Sequence, residues 1–195
     1  MGLITTNAHW TDASWTDALA TLPAALKDPG VRVLASVLDN TPAALALDDW
    51  ARAQGWVHVP LPLFFTPAQM RHAVARAGVD TLVVLPHVVP VWPEASPQPA
   101  SVVGEDLCVL RLNTPAVAMP AGTQTITFTS GTTGAPKGVT YTHRSSFLHT
   151  LRLLQADVMA ITAADTVLAA VPMFHANAWG LPFAAPAVGA SRVLP

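Results

Sequence analysis

The 195 residues are 51% apolar and 11% charged, well short of the roughly 25% charge of an ordinary soluble chain, which excludes intrinsic disorder and leaves room for one sizeable core. With 10 basic and 12 acidic side chains the formal charge is -2, which excludes a nucleic-acid footprint and a polybasic membrane patch.

Met1 to Trp10 contains no Lys or Arg and no apolar run of the kind a secretory signal needs. Val31 to Leu38 is a β-branched apolar run of strand length ending at the turn signal Asp39-Asn40. Thr41 followed by Pro42 predicts a capped helix that stops at Gly55, and Trp56 to Leu61 is the next strand. Thr66-Pro67-Ala68-Gln69 is a capping box whose helix ends near Gly78, and Thr81 to Leu85 is a third strand. This order predicts an α/β fold, a mostly parallel sheet with flanking helices. The connection 86–100 holds five prolines between Pro86 and Pro99, so it is expected to form neither a central strand nor a helix and to run over the surface. Leu107 to Leu112 is a strand containing Cys108, the only cysteine; an intramolecular disulfide and a thiolate zinc cluster are excluded, and a cytoplasmic location is expected. Thr125 to Thr129 is a strand, Ser145 to Gln155 a helix with Phe147, Leu148, Leu151 and Leu154 on one face, and Thr166 to Val171 strand-like. Prolines punctuate the apolar segments, so no transmembrane helix is expected. His9, His58, His72, His87, His143 and His149 show no metal-ligand spacing.

Ile126 to Gly138 carries the chemistry. A strand feeds directly into Thr129, Ser130, Gly131, Thr132, Thr133 and Gly134, with Lys137, one of only two lysines, at the far end. Backbone amides freed by glycine, together with hydroxyl donors, can wrap a polyphosphate, and the lysine adds a point charge. Gly131 and Lys137 have the spacing of a Walker loop, but Pro136 stands where that loop has its second glycine, and Gly138 where it has the magnesium-binding hydroxyl. Val139 to Thr142 also continues as a strand where a Walker loop opens a helix. A plain tight turn between two strands is the competing reading of the glycines.

Thr129 to Val139, with Thr142-His143 after it, resembles the phosphate-binding signature of the adenylate-forming acyl-activating superfamily (AMP-binding enzymes). Val171 to Gly180 (VPMFHANAWG) is similar to the second motif of that superfamily, in the form found in medium- and long-chain fatty-acyl-CoA synthetases. The resemblance implies that residues 1–195 are the N-terminal part of an AMP-binding (adenylation) domain, an incomplete portion of the large domain of an acyl-CoA synthetase-like fold. It implies ATP-dependent activation of a carboxylic acid, fatty in class, to an acyl-adenylate with transfer to coenzyme A, with ATP, magnesium and coenzyme A as cofactors. Thr129, Ser130, Gly131, Thr132, Thr133, Gly134 and Lys137 would hold the phosphates. His175 would lie at the acyl and adenylate pocket, shaping it rather than transferring a proton, while Trp179 and Phe183 are expected in the core.

The resemblance is close over Thr125 to Pro195, and over Met1 to Gly122 it is one of layout and of Val59 to Leu63. The superfamily's later Tyr-Gly-x-Thr-Glu motif, whose glutamate helps hold magnesium, has no counterpart: the tyrosine is Tyr141 and the glutamates are Glu94 and Glu105. Its C-terminal lid and catalytic lysine also have none. The expectation is a chain that binds ATP phosphates weakly, does not complete acyl transfer by itself, exposes apolar surface and calls for a complementing chain. The alternative is a non-catalytic nucleotide-binding remnant or interaction module.

Overall fold

The computed structural model describes residues 2–28, 30, 32–129 and 134–195. In chain order the strands and helices are β1 (Gly2–Ile4), β2 (His9–Thr11), α1 (Asp12–Ala20), β3 (Val33–Val37), α2 (Pro42–Gln54), β4 (Val57–Pro60), α3 (Pro67–Ala77), β5 (Thr81–Val84), β6 (Gln98–Val102), β7 (Glu105–Arg111), β8 (Thr123–Thr129), β9 (Lys137–Thr142), α4 (His143–Leu153), β10 (Thr166–Leu168), α5 (Leu181–Val188) and β11 (Ser191–Val193). Among the described residues no helix is long and apolar enough to cross a membrane.

The main sheet has seven strands in the order β6-β7-β5-β3-β4-β8-β9. β3 pairs in parallel with β4 and β5, and β4 with β8, so the central strands run one way; β7 and β9 pair antiparallel on either flank. A parallel sheet must be covered on both faces, and β3 is buried along its whole length. Leu34 packs toward Ala43, Ala44, Leu47 and Ala51 of α2. Val33, Ala35 and Val37 point the other way, toward Met70, Ala73 and Val74 of α3. Both helices begin as expected: Thr41 and Thr66 accept from the backbone N–H groups of Ala44 and Gln69, proline sits in each first turn, and left-handed Gly55 and Gly78 end them.

A second sheet, β10-β11-β1-β2, joins the two ends of the described chain, with β1 parallel to β11. It is attached to the main sheet by apolar packing, with Leu3, Trp15, Ala169 and Leu194 in one cluster with α2, and by polar contacts. On α2, Asp49 accepts from Trp15 Nε1 of α1 at 2.9 Å and from Arg192 Nη1 of β11 at 3.2 Å, and it pairs with Arg52. Its neighbour Asp48 lies 3.1 Å from Arg52 Nε and accepts from His58 Nδ1 of β4 at 2.9 Å, while His58 Nε2 stands 2.9 Å from Ser36 Oγ of β3. Ser36, His58 and Asp48 form the chain of groups familiar from hydrolases, but each is at most 2% exposed, so no substrate reaches them and they act as a joint.

Three expectations change. The connection 86–100 is not featureless: Pro86–Val91 winds into a 3₁₀ helix and Gln98–Val102 is the outermost strand, where the missing N–H of Pro99 is tolerated. The strand expected over Thr166 to Val171 is shorter, and it belongs to the second sheet. Helix α4 forms, yet Phe147, Leu148 and Leu151 face solvent while Ser146, Thr150 and Leu153 are buried. Composition cannot say which stripe of a helix meets its neighbours, and here the inward stripe is the smaller and more polar one.

Burial pushes the Asp48 carboxyl up, but the Arg52 guanidinium, the hydrogen bond to His58 and the charge of Arg192 outweigh it and hold it below the ordinary carboxylate value. A depressed native value stabilises the fold above the unfolded-state value, and that contribution is lost as pH falls through the native one. Asp48→Asn is therefore expected to lower the unfolding free energy by about 3 kcal/mol near neutral pH, and by less as the medium drops below about pH 4. Urea unfolding at both acidities tests this; a deficit that does not shrink in acid would mean that the Asp48 charge contributes nothing.

Candidate functional site

β8 and β9 pair antiparallel and bracket the glycine-rich segment. Thr129 pairs with Lys137 and Phe128 with Gly138, and the Thr129 hydroxyl donates to the Lys137 carbonyl at 3.4 Å. Both Thr129 and Lys137 are exposed at the end of the paired strands, the Thr129 hydroxyl being engaged across the hairpin. Gly134 has φ 90°, a left-handed conformation that side chains rarely adopt. The Pro136 carbonyl lies 3.2 Å from His72 Nε2 of α3 and accepts its hydrogen bond, which fastens the returning arm to the body of the fold. Ser130, Gly131, Thr132 and Thr133 lie outside the described residues.

The parallel strands aim other groups at the same edge. β3 leads to Asn40, β4 to Phe64 and β8 to its last residue Thr129, all at or just beyond strand carboxyl ends, where α/β sheets characteristically place ligands. Asn40 is a clamp. Its Nδ2 donates to the carbonyls of Ala169 at 2.7 Å and Val171 at 2.8 Å, and its Oδ1 accepts from the Met173 N–H at 2.9 Å. These bonds hold the start of the second motif against β3, and the Phe64 ring meets Phe174 edge-on at 5.7 Å. In the sequence Asn40 reads only as a turn residue, because no local pattern announces partners this remote.

His175 is exposed and leads into an unusual turn. Ala176, Asn177, Ala178, Trp179 and Gly180 have φ of 47°, 53°, 46°, 58° and 75°, a run of left-handed residues in which only the last lacks a Cβ. The turn packs against β8 and α4. It borders a cleft of about 270 Å³ lined by Tyr141, Ser145, His149, Asn177, Trp179 and Phe183. Trp179 is 55% exposed and is therefore not the core residue expected from the sequence; Phe183 is buried, but it too faces the cleft. Arg52 stacks on the Phe183 ring at 4.7 Å and ties this wall to α2. Among the described residues no three His, Cys, Asp or Glu side chains converge on a metal position.

The arrangement thus offers an exposed threonine and lysine where β8 and β9 meet their connecting segment, and a mostly apolar cleft bordered by the turn that follows His175. The sequence profile of AMP-binding enzymes matches residues 17–195. The medium-chain-fatty-acid–CoA ligase of Ectopseudomonas oleovorans is 56% identical over 68 residues, 35% of this chain and 12% of that protein. The long-chain-fatty-acid–CoA ligase of Thermus thermophilus is likewise 56% identical over 68 residues, 35% of this chain and 13% of its own length. In overall structure, ATP-bound MatB from Rhodopseudomonas palustris superposes with a TM-score of 0.75 at 18% identity, covering 98% of this chain and 41% of its own. The Bacillus subtilis o-succinylbenzoate CoA synthetase MenE, in complex with its acyl-adenylate intermediate, gives 0.74 at 22% identity, covering 99% of this chain and 51% of its own. The chain therefore spans about half of these solved chains, and the aligned stretch about an eighth of the curated relatives.

The clamp is testable. Asn40→Ala removes three hydrogen bonds and strands buried backbone groups, so it is expected to lower the unfolding free energy by about 2–4 kcal/mol. Asn40→Asp, which sets a carboxylate against two carbonyls, is expected to lose more. Denaturant unfolding of both variants measures this, and a wild-type midpoint in Asn40→Ala would remove the clamp from the account.

Proposed function

Since the chain belongs to the AMP-binding enzyme family, we propose that it contributes the phosphate loop and part of the acid site for ATP-dependent activation of a carboxylic acid, with transfer of the acyl group to coenzyme A. In this reading residues 1–195 are the N-terminal part of the adenylation domain, the acid is of the fatty class and the location is cytoplasmic. One observation carries it: β8, which runs parallel to β4 and feeds the Thr129–Gly138 segment, packs against the 176–180 turn that follows the segment Asn40 clamps. The fatty class is supported by the two ligases that share 56% identity over 68 residues.

In the first step a carboxylate oxygen attacks the α-phosphorus of ATP, the bond to the bridging oxygen breaks and pyrophosphate leaves. In the second the coenzyme A sulfur attacks the acyl carbonyl, loses its proton and displaces AMP. Negative charge shifts onto phosphate oxygens in the first step, and donors set in advance around those oxygens lower the barrier. Thr129, Ser130, Thr132 and Thr133 supply hydroxyls, Gly131 and Gly134 leave backbone N–H groups open, and Lys137 supplies positive charge. Magnesium, when bound with the phosphates, neutralises their charge. His175 shapes the acid site, and the apolar cleft next to it takes the acyl chain.

Calorimetric titration with ATP tests the loop: Lys137→Ala is expected to weaken binding by about tenfold, with Thr129→Val intermediate. Equal affinity in Lys137→Ala and wild type would sink this reading. Octanoate-dependent exchange of labelled pyrophosphate into ATP then separates adenylate formation from nucleotide binding without chemistry.

A further inference from the structure

A run of left-handed residues that carry a Cβ is strained and persists only where its surroundings over-determine it. Ala176, Asn177, Ala178 and Trp179 form such a run, closed by Gly180. Asn40 holds the segment only as far as Met173, so the turn itself needs another support. On the α4 side that support is His149. Its Nε2 lies 3.0 Å from the Trp179 carbonyl oxygen. A carbonyl can only accept, so Nε2 carries the proton and the bond forms whether or not the ring is charged. The ring also fills the space over the last residue of the turn: a Cβ at Gly180 would stand 2.4 Å from His149 Cδ2 and 2.9 Å from Nε2. At φ 75° this position already favours glycine, and a side chain there would have to displace the His149 ring. His149 also lines the cleft, together with Ser145 and Asn177.

We propose that His149 is the positioning residue of the left-handed turn and, through it, sets the shape of the acid cleft; the second step rests on the acyl-activation reading. The imidazole acts as a strut, its ring packing on Gly180 and its N–H securing the Trp179 carbonyl, so that Asn177 and Trp179 are presented to the cleft from a backbone that would otherwise relax. His149 is itself exposed and outside the hydrophobic clusters, so its replacement leaves the core intact.

The test reads the turn and the acid separately. Trp179 is one of six tryptophans, so its acrylamide quenching is taken as the difference between each protein and its Trp179→Phe counterpart. His149→Ala is expected to change the Trp179 quenching constant and to weaken octanoate binding, measured by calorimetry, by about tenfold. His149→Gln keeps a donor at similar reach and is expected to restore both. Gly180→Ala, which pushes the ring away, is expected to alter Trp179 in the same direction as His149→Ala, with circular dichroism confirming that every variant is folded. An unchanged Trp179 signal in His149→Ala, or a glutamine variant no better than alanine, overturns the proposal. A changed Trp179 signal with equal octanoate affinity in wild type and His149→Ala overturns the link from turn to cleft. A changed signal in a protein whose wild type binds no octanoate leaves the strut standing and removes the acyl-activation reading.

Discussion

Asp48 and Asp49 are adjacent on α2, and the rest of the structure is arranged around them. Asp48 reaches into the main sheet through His58 and Ser36, while Asp49 reaches out to Trp15 and Arg192 and holds the second sheet. Removing carboxylates from water is costly, and the cost is met here because each oxygen cluster faces cations or N–H donors. Leu3, Ala169 and Leu194 press the same layers together by apolar packing, and the directional bonds of the two aspartates add a fixed angle between them. That angle matters, because β11 and β10 lie next to the chain segment that Asn40 receives from Ala169 onward.

The site follows from that placement. Parallel strands of a covered sheet end at one edge, and there the chain sets two different kinds of surface side by side. The β8–β9 hairpin brackets a segment whose sequence is rich in hydroxyl residues, and its returning arm is anchored by His72. The 169–180 segment is apolar, strained and anchored at both ends, by Asn40 before His175 and by His149 beyond it. A polar donor set next to an apolar cleft is what a reaction joining a phosphate to the carboxyl end of a greasy molecule requires. The exposed Phe147, Leu148 and Leu151 of α4 stand close to this cleft in sequence but are not among its lining residues.

Much of this was legible from local pattern. The starts of α2 and α3, the parallel β3, β4 and β5, and the hydroxyl- and glycine-rich loop all depend on residues within one turn or one strand of each other. The roles of Asn40, His72 and His149 were not legible, since each is a single polar residue whose partner is a backbone carbonyl or N–H far along the chain. Trp179 was misplaced for the same reason: a large aromatic residue among apolar neighbours reads as core unless the left-handed backbone that turns it outward is known.

By itself the sequence determined the element types, their caps, the α/β class and the chemistry offered at the loop, because hydrophobic period, hydroxyl caps and glycine content act over a few residues. Only the tertiary structure decided that a second sheet ties β1 to β11, that the Ser36, His58 and Asp48 chain is sealed, which stripe of α4 is buried, and that Asn40 and His149 brace the His175 segment. The Asn40 contacts cross 129 to 133 residues, and contacts of that reach are chosen by the packing of whole layers, which no local pattern encodes.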